Sequence, residues 1–557
     1  MRARLALLLA LLGGLLLAHF ATRTPAPVPA TASERLFSAE RAMDDVRAVA
    51  KAPHPTGSAE NARVRDYLLA RLRSLGLEAS VQRVDAAAFS ADRRRRDGAG
   101  PGGAVENVIG VLPGRNRSLP ALLLTSHYDS VPDSPGAADD AVGVAGGLET
   151  VRALTAAGRR PLRDVVVLFT DAEEVGLNGA RAFWGEAGSA HPLAARVGVV
   201  LNAEARGGGG RALLFETSPA AGGLVRAYAG SAVRPAGNSL AAFVYERLPN
   251  DTDFTVARRQ GAAGLNFAFL GRPEQYHQPG STPEALDRGA LQHTGDQLLG
   301  LTRALADAPS LPAASPNLVY SDVLGAALLV HPAWGGWLVL AAALGLTAWA
   351  WRRPPHWREV LTGFLAALAL VAVTGMAFFL TAQALGGLGY YDALRALRGL
   401  EIGLFALAIL ISALAALLLR RGSAPSVSGR WLGFVLLGLL LTAVAQALAP
   451  ATAFLLAWPV LVAAAAAAGA GPDLERPRAL AILVLAAALA LGQVGSWAHY
   501  FTLGLGYFRP EPLALLLLLA WIPLAPLILL PGRREGLDRN ATNRSHDRSA
   551  PTAEIDA

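Results

Sequence analysis

Apolar and polar residues follow two different patterns along this chain, and the change falls near residue 334. Before it, helical and strand periods alternate. Glu60 to Leu77 repeats apolar residues at helical spacing, Asn107 to Leu112 and Ala121 to Thr125 are apolar runs of strand length, Asp139 to Ala156 returns to the helical period, and Asp164 to Thr170 reads as a buried strand. Further strands are expected at Val197 to Leu201, Ala212 to Phe215 and Gly264 to Phe269, with helices at about 220–230 and 283–305. This alternation predicts an α/β fold, a mixed central sheet flanked by helices, whose sites gather beyond the carboxyl ends of the strands.

After residue 334 polar positions nearly vanish. Apolar stretches recur at about 334–351, 359–386, 400–419, 431–447, 451–470, 479–498 and 512–530, most of them near the roughly 20 residues a helix needs to cross a bilayer. They predict an all-α multi-span transmembrane domain of about seven helices. The apolar run from Leu5 to Phe20, preceded by Arg2 and Arg4, adds an N-terminal anchor or signal segment. The expected organisation is therefore this terminal segment over 1–22, a Pro/Ala-rich semi-rigid linker over 23–34, the α/β domain over 35–310, a second linker over 311–333, the transmembrane domain over 334–531 and a polar tail over 532–557.

Charge adds an orientation. Lys and Arg number 50 against 43 Asp and Glu, and the cations are nearly all arginines beside apolar runs, as topology signals are. Arg352, Arg353 and Arg358, then Arg420, Arg421 and Arg430, then Arg476 and Arg478, then Arg533 and Arg534 occupy alternate loops, which are expected to be cytoplasmic. Arg2 and Arg4 orient the first segment the same way, so the α/β domain is expected on the non-cytoplasmic side, periplasmic or lumenal. Nucleic acid is not an expected partner; the run Arg93 to Arg96 reads as a solvated loop. Within the spans, Gln383, Gln446 and Gln493 read as interhelical hydrogen-bonding groups, while Glu401, His331 and His499 sit near span ends and are assigned no chemistry. The chain has no cysteine, which excludes disulfides and thiolate sites and leaves imidazoles and carboxylates as the metal donors.

Such donors stand after the expected strands. HYDS (His127 to Ser130) follows ALLLTS, GAADDAVG opens a helix with Asp139 and Asp140, and DAEEVG brings Glu173 and Glu174 after VVVLFT. AEARG places Glu204 after VGVVLN, and QYHQPGSTPEAL places His277 in a loop before the last helix. Taken alone, each has an ordinary explanation, Asp139 as a helix cap and the Glu pair as solvated charge. Together they match a binuclear hydrolase, in which a bridging carboxylate holds two ions and a neighbouring carboxylate takes a proton from the activated water.

This series resembles metallopeptidase family twenty-eight, the co-catalytic zinc aminopeptidases, over about residues 40–307. PHPTGSAENARVRDYL and LQHTGDQLL look like its membrane-anchored branch, which includes the endoplasmic reticulum metallopeptidase and the fungal vacuolar membrane protease. The resemblance implies a zinc peptidase domain with two Zn2+ per chain and an aminopeptidase acting on peptides, and it favours an N-terminal segment kept as an anchor. It implies His127, Asp139 and Glu204 on one ion, Asp139, Glu174 and His277 on the other, and Glu173 as general base. It further implies a cis peptide between Asp139 and Asp140, with Asp129 orienting His127 from behind. Glu204 and Val142 stand where many relatives have Asp and Ser. Arg206 and Tyr276 are candidate substrate-pocket residues; Asp251 and Asp253 are either supporting groups or a helix cap, and His54 and His293 are expected to be structural. Alternatives on the same fold are a glutaminyl cyclase or a metal-free receptor-like or scaffold protein. A transporter with a binding domain outside is a further alternative.

Overall fold

A computed structural model describes residues 2–89, 103–156, 158–186, 188–421, 426–506 and 509–530. The Arg93–Arg96 run, Arg533, Arg534 and the tail from 532 lie outside the described residues. The chain opens with α1 (Arg2–Thr22), α2 (Ala39–Val49) and α3 (Ala59–Ser74). It continues through β1 (Glu78–Asp85), β2 (Ala104–Leu112), β3 (Ala121–His127), α4 (Ala141–Thr155), β4 (Val165–Thr170), α5 (Asn178–Trp184) and β5 (Val197–Ala205). Then come β6 (Leu213–Thr217), α6 (Gly222–Ser231), α7 (Ser239–Tyr245), α8 (Asp253–Arg259), β7 (Gly264–Phe269) and α9 (Arg288–Ala306).

These strands form a seven-stranded sheet in the order β1-β2-β4-β3-β5-β7-β6. β4, β3, β5 and β7 run parallel at its centre, and β1, β2 and β6 are joined antiparallel at its edges. The central strands are largely apolar because both faces are covered, with a few polar residues such as Asn202 and Asn266. Along β4, Val165, Val167 and Phe169 enter one core with α4 and α9, and Val166 and Leu168 enter another with Phe183 and Phe254. The sheet is therefore mixed and helix-flanked, as its sequence pattern predicts.

Several details differ from the expectation. β1 is an added edge strand whose residues are all exposed or half-buried, so its apolar signal is weak. The segment 311–333, expected as a linker, carries a hairpin of β8 (Leu318–Val323) and β9 (Ala327–Pro332). Its three-residue loop, between paired Val323 and Ala327, places Leu324 and Gly325 at positive φ. The 23–34 linker is tied to the domain: Val28 N donates to Gln292 Oε1, and Arg41 Nη1 donates to the carbonyls of Ala30 and Ala32.

The apolar half comprises α10 (Gly335–Ala350), α11 (Trp357–Leu385), α12 (Tyr390–Leu419), α13 (Val427–Leu448), α14 (Pro450–Ala470), α15 (Pro477–Phe501) and α16 (Ala514–Leu529), with a π-helical segment at Thr502–Gly506. Among the described residues, seven helices are long and apolar enough to cross a membrane, α1 included; α10, with 16 residues, is shorter. α13, α14 and α16 share a buried core, whereas α1, α11 and α12 leave many large apolar side chains exposed. α12 starts at Tyr390 rather than near 400, because its first turns carry Asp392, Arg395 and Arg398 ahead of the apolar run. α1 packs along α15 through small residues: a Cβ on Gly14 would meet Leu491, and one on Gly492 would meet Leu17. Gln446 Nε2 donates to the Ala333 carbonyl, and Gln493 Oε1 accepts from Leu324 N, so these two glutamines bond to the hairpin and its following turn rather than to other helices.

Candidate metal centre

Each candidate donor leaves the parallel part of the sheet at a carboxyl end. His127 ends β3, Glu173 and Glu174 follow β4, Glu204 is the penultimate residue of β5, and His277 lies in the loop after β7. Asp139 and Asp140, joined by a cis peptide, precede α4, where Asp140 is the N-cap and accepts from Gly143 N at 3.0 Å. His277 sits at φ 55°, a left-handed backbone that non-glycine residues seldom adopt.

The fold brings all six together. One atom each from His127, Asp139 and Glu204 lies within 4.8 Å of the others, and the same holds for Asp139, Glu174 and His277. Asp139 is common to both groups: its Oδ1 is 3.0 Å from His127 Nε2 and its Oδ2 is 3.1 Å from His277 Nε2. Glu173 forms a third such group with His127 and Glu174. His127, Asp139 and Glu204 are buried, and Glu173, Glu174 and His277 are half-buried.

Among the described residues, ion pairs of Asp139, Glu174 and Glu204 are all with the two imidazoles. Glu174 Oε1 is buried and lies 3.0 Å from His277 Nε2. Burial pushes the Glu204 carboxyl up to about 8, helped by the charges of Asp139 and Asp253, and pushes Glu173 well above the usual range. Burial pulls the imidazoles down, but hydrogen bonding of His277 to the Asp139 and Glu174 carboxylates outweighs it and pushes His277 up to about 12. His127 is likewise raised, by Asp129 and Asp139. Oxygen and nitrogen donors converging without a lysine or arginine partner are the donor set a divalent cation needs, so the residues present fit a metal.

Supporting groups are also in place. His127 Nδ1 lies 3.0 Å from the backbone carbonyl of Asp129 and 3.5 Å from its carboxylate. The Asp129 carboxylate accepts from the amides of Glu173 and Glu174 at 3.0 and 3.2 Å, so one residue fixes both an imidazole and the paired glutamates. Asp253 is buried and accepts from the Thr170 hydroxyl; Asp251 is 3.3 Å from Arg259 and lies at the cavity rim. His54 and His293 are not among these donors, and His54 Nδ1 lies 2.8 Å from the Ala52 carbonyl. His293 is held by the Ala212 amide and the Arg234 carbonyl, and burial beside Arg211 drives it down to about 3.

A cavity of about 180 Å³ opens beside Asp139, Glu173 and Glu204, and both Arg206 and Tyr276 line it. Tyr276 also stacks on the His277 ring at 3.8 Å. Sequence reasoning missed the parts of this site that come from the apolar half. Tyr391 of α12 lies 2.9 Å from His277 Nδ1 through its hydroxyl, and Tyr500, Phe501, Gly504 and Leu505 line the cavity. No local motif marks them, because their proximity arises only when the two halves pack.

Residues 107–302 match the model of peptidase family M28. The chain is 32% identical over 315 residues to endoplasmic reticulum metallopeptidase 1 of Mus musculus, an alignment covering 53% of this chain and 34% of that protein. It is 32% identical over 320 residues to the vacuolar membrane protease of Eremothecium gossypii, covering 55% and 30%. The matches thus span about a third of the length of these curated relatives. Among solved structures, an aminopeptidase from Aneurinibacillus sp. strain AM-1 aligns at 16% identity and TM-score 0.39, covering 51% of this chain and 98% of that one. A Porphyromonas gingivalis glutaminyl cyclase aligns at 18% and 0.37, covering 48% and 98%. Residues 107–302 are therefore a peptidase family M28 domain, carried in a chain whose other half is a set of helices apolar enough to cross a membrane.

Proposed function

We propose that this chain is a membrane-bound metallo-aminopeptidase that holds two divalent ions, zinc by its donor set, and removes N-terminal residues from peptides. The observation that carries the reading is the pair of three-donor groups sharing Asp139. Four carboxylates, Asp139, Glu173, Glu174 and Glu204, converge there with two imidazoles, a charge that two divalent cations would balance. The peptidase unit, over about 35–310, lies on the non-cytoplasmic face, supported by the arginine-rich loops, and α1 stays as an anchor, supported by its packing along α15.

In this reading His127, Asp139 and Glu204 hold one ion, and Asp139, Glu174 and His277 hold the other. The ions, when bound, polarise the scissile carbonyl and lower the pKa of water. Glu173, beside both donor groups, takes the proton from water and returns it to the leaving amine. Asp129 keeps Glu173 aimed by accepting its amide hydrogen bond, and keeps His127 in one orientation. The cavity beside these groups receives the residue to be released.

Aminoacyl amides and N-acetylated peptides of the same sequence, offered to the purified full chain in detergent, test this function. Hydrolysis of the free-amine substrates alone, abolished by chelation and restored by zinc, is expected. Equal cleavage of the acetylated peptides would contradict the exopeptidase reading. Glu173→Gln is expected to lower the rate by about 100- to 10,000-fold while the metal stays bound.

A further inference from the structure

The cavity beside the proposed metal centre is walled from both halves of the chain. Leu213, Phe215 and Val244 come from the sheet and α7 on one side; Tyr500, Phe501 and Leu505 come from the end of α15 and the π-helical segment on the other. Asp139, Glu173 and Glu204 lie at its charged end. This second wall is fixed in place. Leu213 and Ala236 of the peptidase unit share one buried apolar cluster with Leu394, Leu397, Leu400, Tyr500 and Leu503 of the helical unit. Arg206 Nη2 donates to the Leu503 carbonyl at 3.2 Å, and the Tyr391 hydroxyl reaches His277. A π-helical turn, a geometry often retained at functional sites, presents Leu505 to the cavity.

We infer that the end of α15 and the following π-helical turn form the specificity wall of the site, so that the helical unit selects peptides whose released residue carries a large apolar side chain. The inference rests on the hydrolase reading above and adds that the membrane helices are part of the substrate pocket. An apolar side chain entering it leaves water for a surface supplied mostly by the peptidase unit and completed by Tyr500, Phe501, Gly504 and Leu505 of the helical unit, and discrimination by such a pocket amounts to about 10- to 200-fold between residues that differ by a few methylenes.

The test uses the full chain in detergent and two variants that fill the cavity from opposite sides, Leu505→Trp from the helical unit and Val244→Trp from the peptidase unit. The readout is the ratio of kcat/KM for leucyl amide over alanyl amide, with bound metal and melting temperature as checks on folding. The ratio is expected to fall about tenfold or more in both variants, mainly through KM for the leucyl substrate. A fall in Val244→Trp with none in a folded, metal-loaded Leu505→Trp would overturn the inference and leave the hydrolase reading standing. So would a ratio unmoved in both. If the Leu505 variant fails to fold, Phe501→Ala, which enlarges the same wall, must raise the preference for phenylalanyl over leucyl amide, and an unmoved preference overturns the inference. Failure of the unmodified protein to hydrolyse any aminoacyl amide would overturn the hydrolase reading itself, and the inference with it.

Discussion

Strand β4 has buried acids at both ends, and their surroundings differ. At its start, Asp164 is fully buried and accepts from Arg196 at 2.7 Å, Arg117 at 3.4 Å and the Gly114 amide at 2.8 Å. Beyond its other end, Glu173 and Glu174 converge with Asp139 and Glu204, and among the described residues the only charged partners of the group are two imidazoles. Other buried acids of the peptidase unit resemble Asp164: Glu149 is bound by Arg41 and Arg152, and Glu216 by Arg258 and Asn266. A buried carboxylate is costly unless paired, so the arginine-bound acids are complete as they stand, whereas the cluster calls for cations from outside the chain. The same strand thus has a structural end and a chemical end.

Asp139→Ala breaks the chemical end most severely, because both proposed ions lose a donor. Its activity is expected to fall by more than about 1,000-fold, with bound metal lost. Asp164→Ala should do the reverse. It leaves the Gly114 amide without its acceptor and is expected to cost about 1–3 kcal/mol in chemical unfolding, while the folded fraction keeps its metal and its rate. Metal loss in Asp164→Ala, or metal kept in Asp139→Ala, would erase the contrast.

Smaller effects sharpen it. Tyr391→Phe deletes the hydroxyl at His277 Nδ1 and should weaken metal retention by about 10- to 100-fold in a chelator competition, without unfolding the chain. pH gives the mildest test. In the metal-free site the acids hold His277 protonated up to about 12 and His127 well above its ordinary range, and an ion must displace those protons. Metal affinity is therefore expected to rise from pH 6 to pH 8.

Much of the peptidase unit was readable from the chain because its signals are local. Apolar runs such as VVVLFT end in the acids that follow them, so each strand announces both itself and the donor at its carboxyl end. His127, Asp139, Glu173, Glu174, Glu204 and His277, read off six separate positions, do converge. Signals failed where they were weak or non-local. β1 is polar and half-exposed, the β8–β9 hairpin turns on a leucine rather than a typical turn residue, and the early turns of α12 lie outside its apolar run. The contacts of Tyr391, Phe501 and Leu505 with the site had no sequence signature, since they depend on how two units pack. Asp129 is a partial miss of another kind: its carbonyl as well as its carboxylate faces His127, and its carboxylate serves the Glu173–Glu174 amides.

The most direct test of the central claim is a metal count on the purified full-length chain, by elemental analysis after exhaustive dialysis, for the unmodified protein and for Asp139→Ala. Two divalent ions per chain falling to one or none in the variant is the predicted result. A fully active chain that carries no metal, or a variant that keeps both ions, would contradict it.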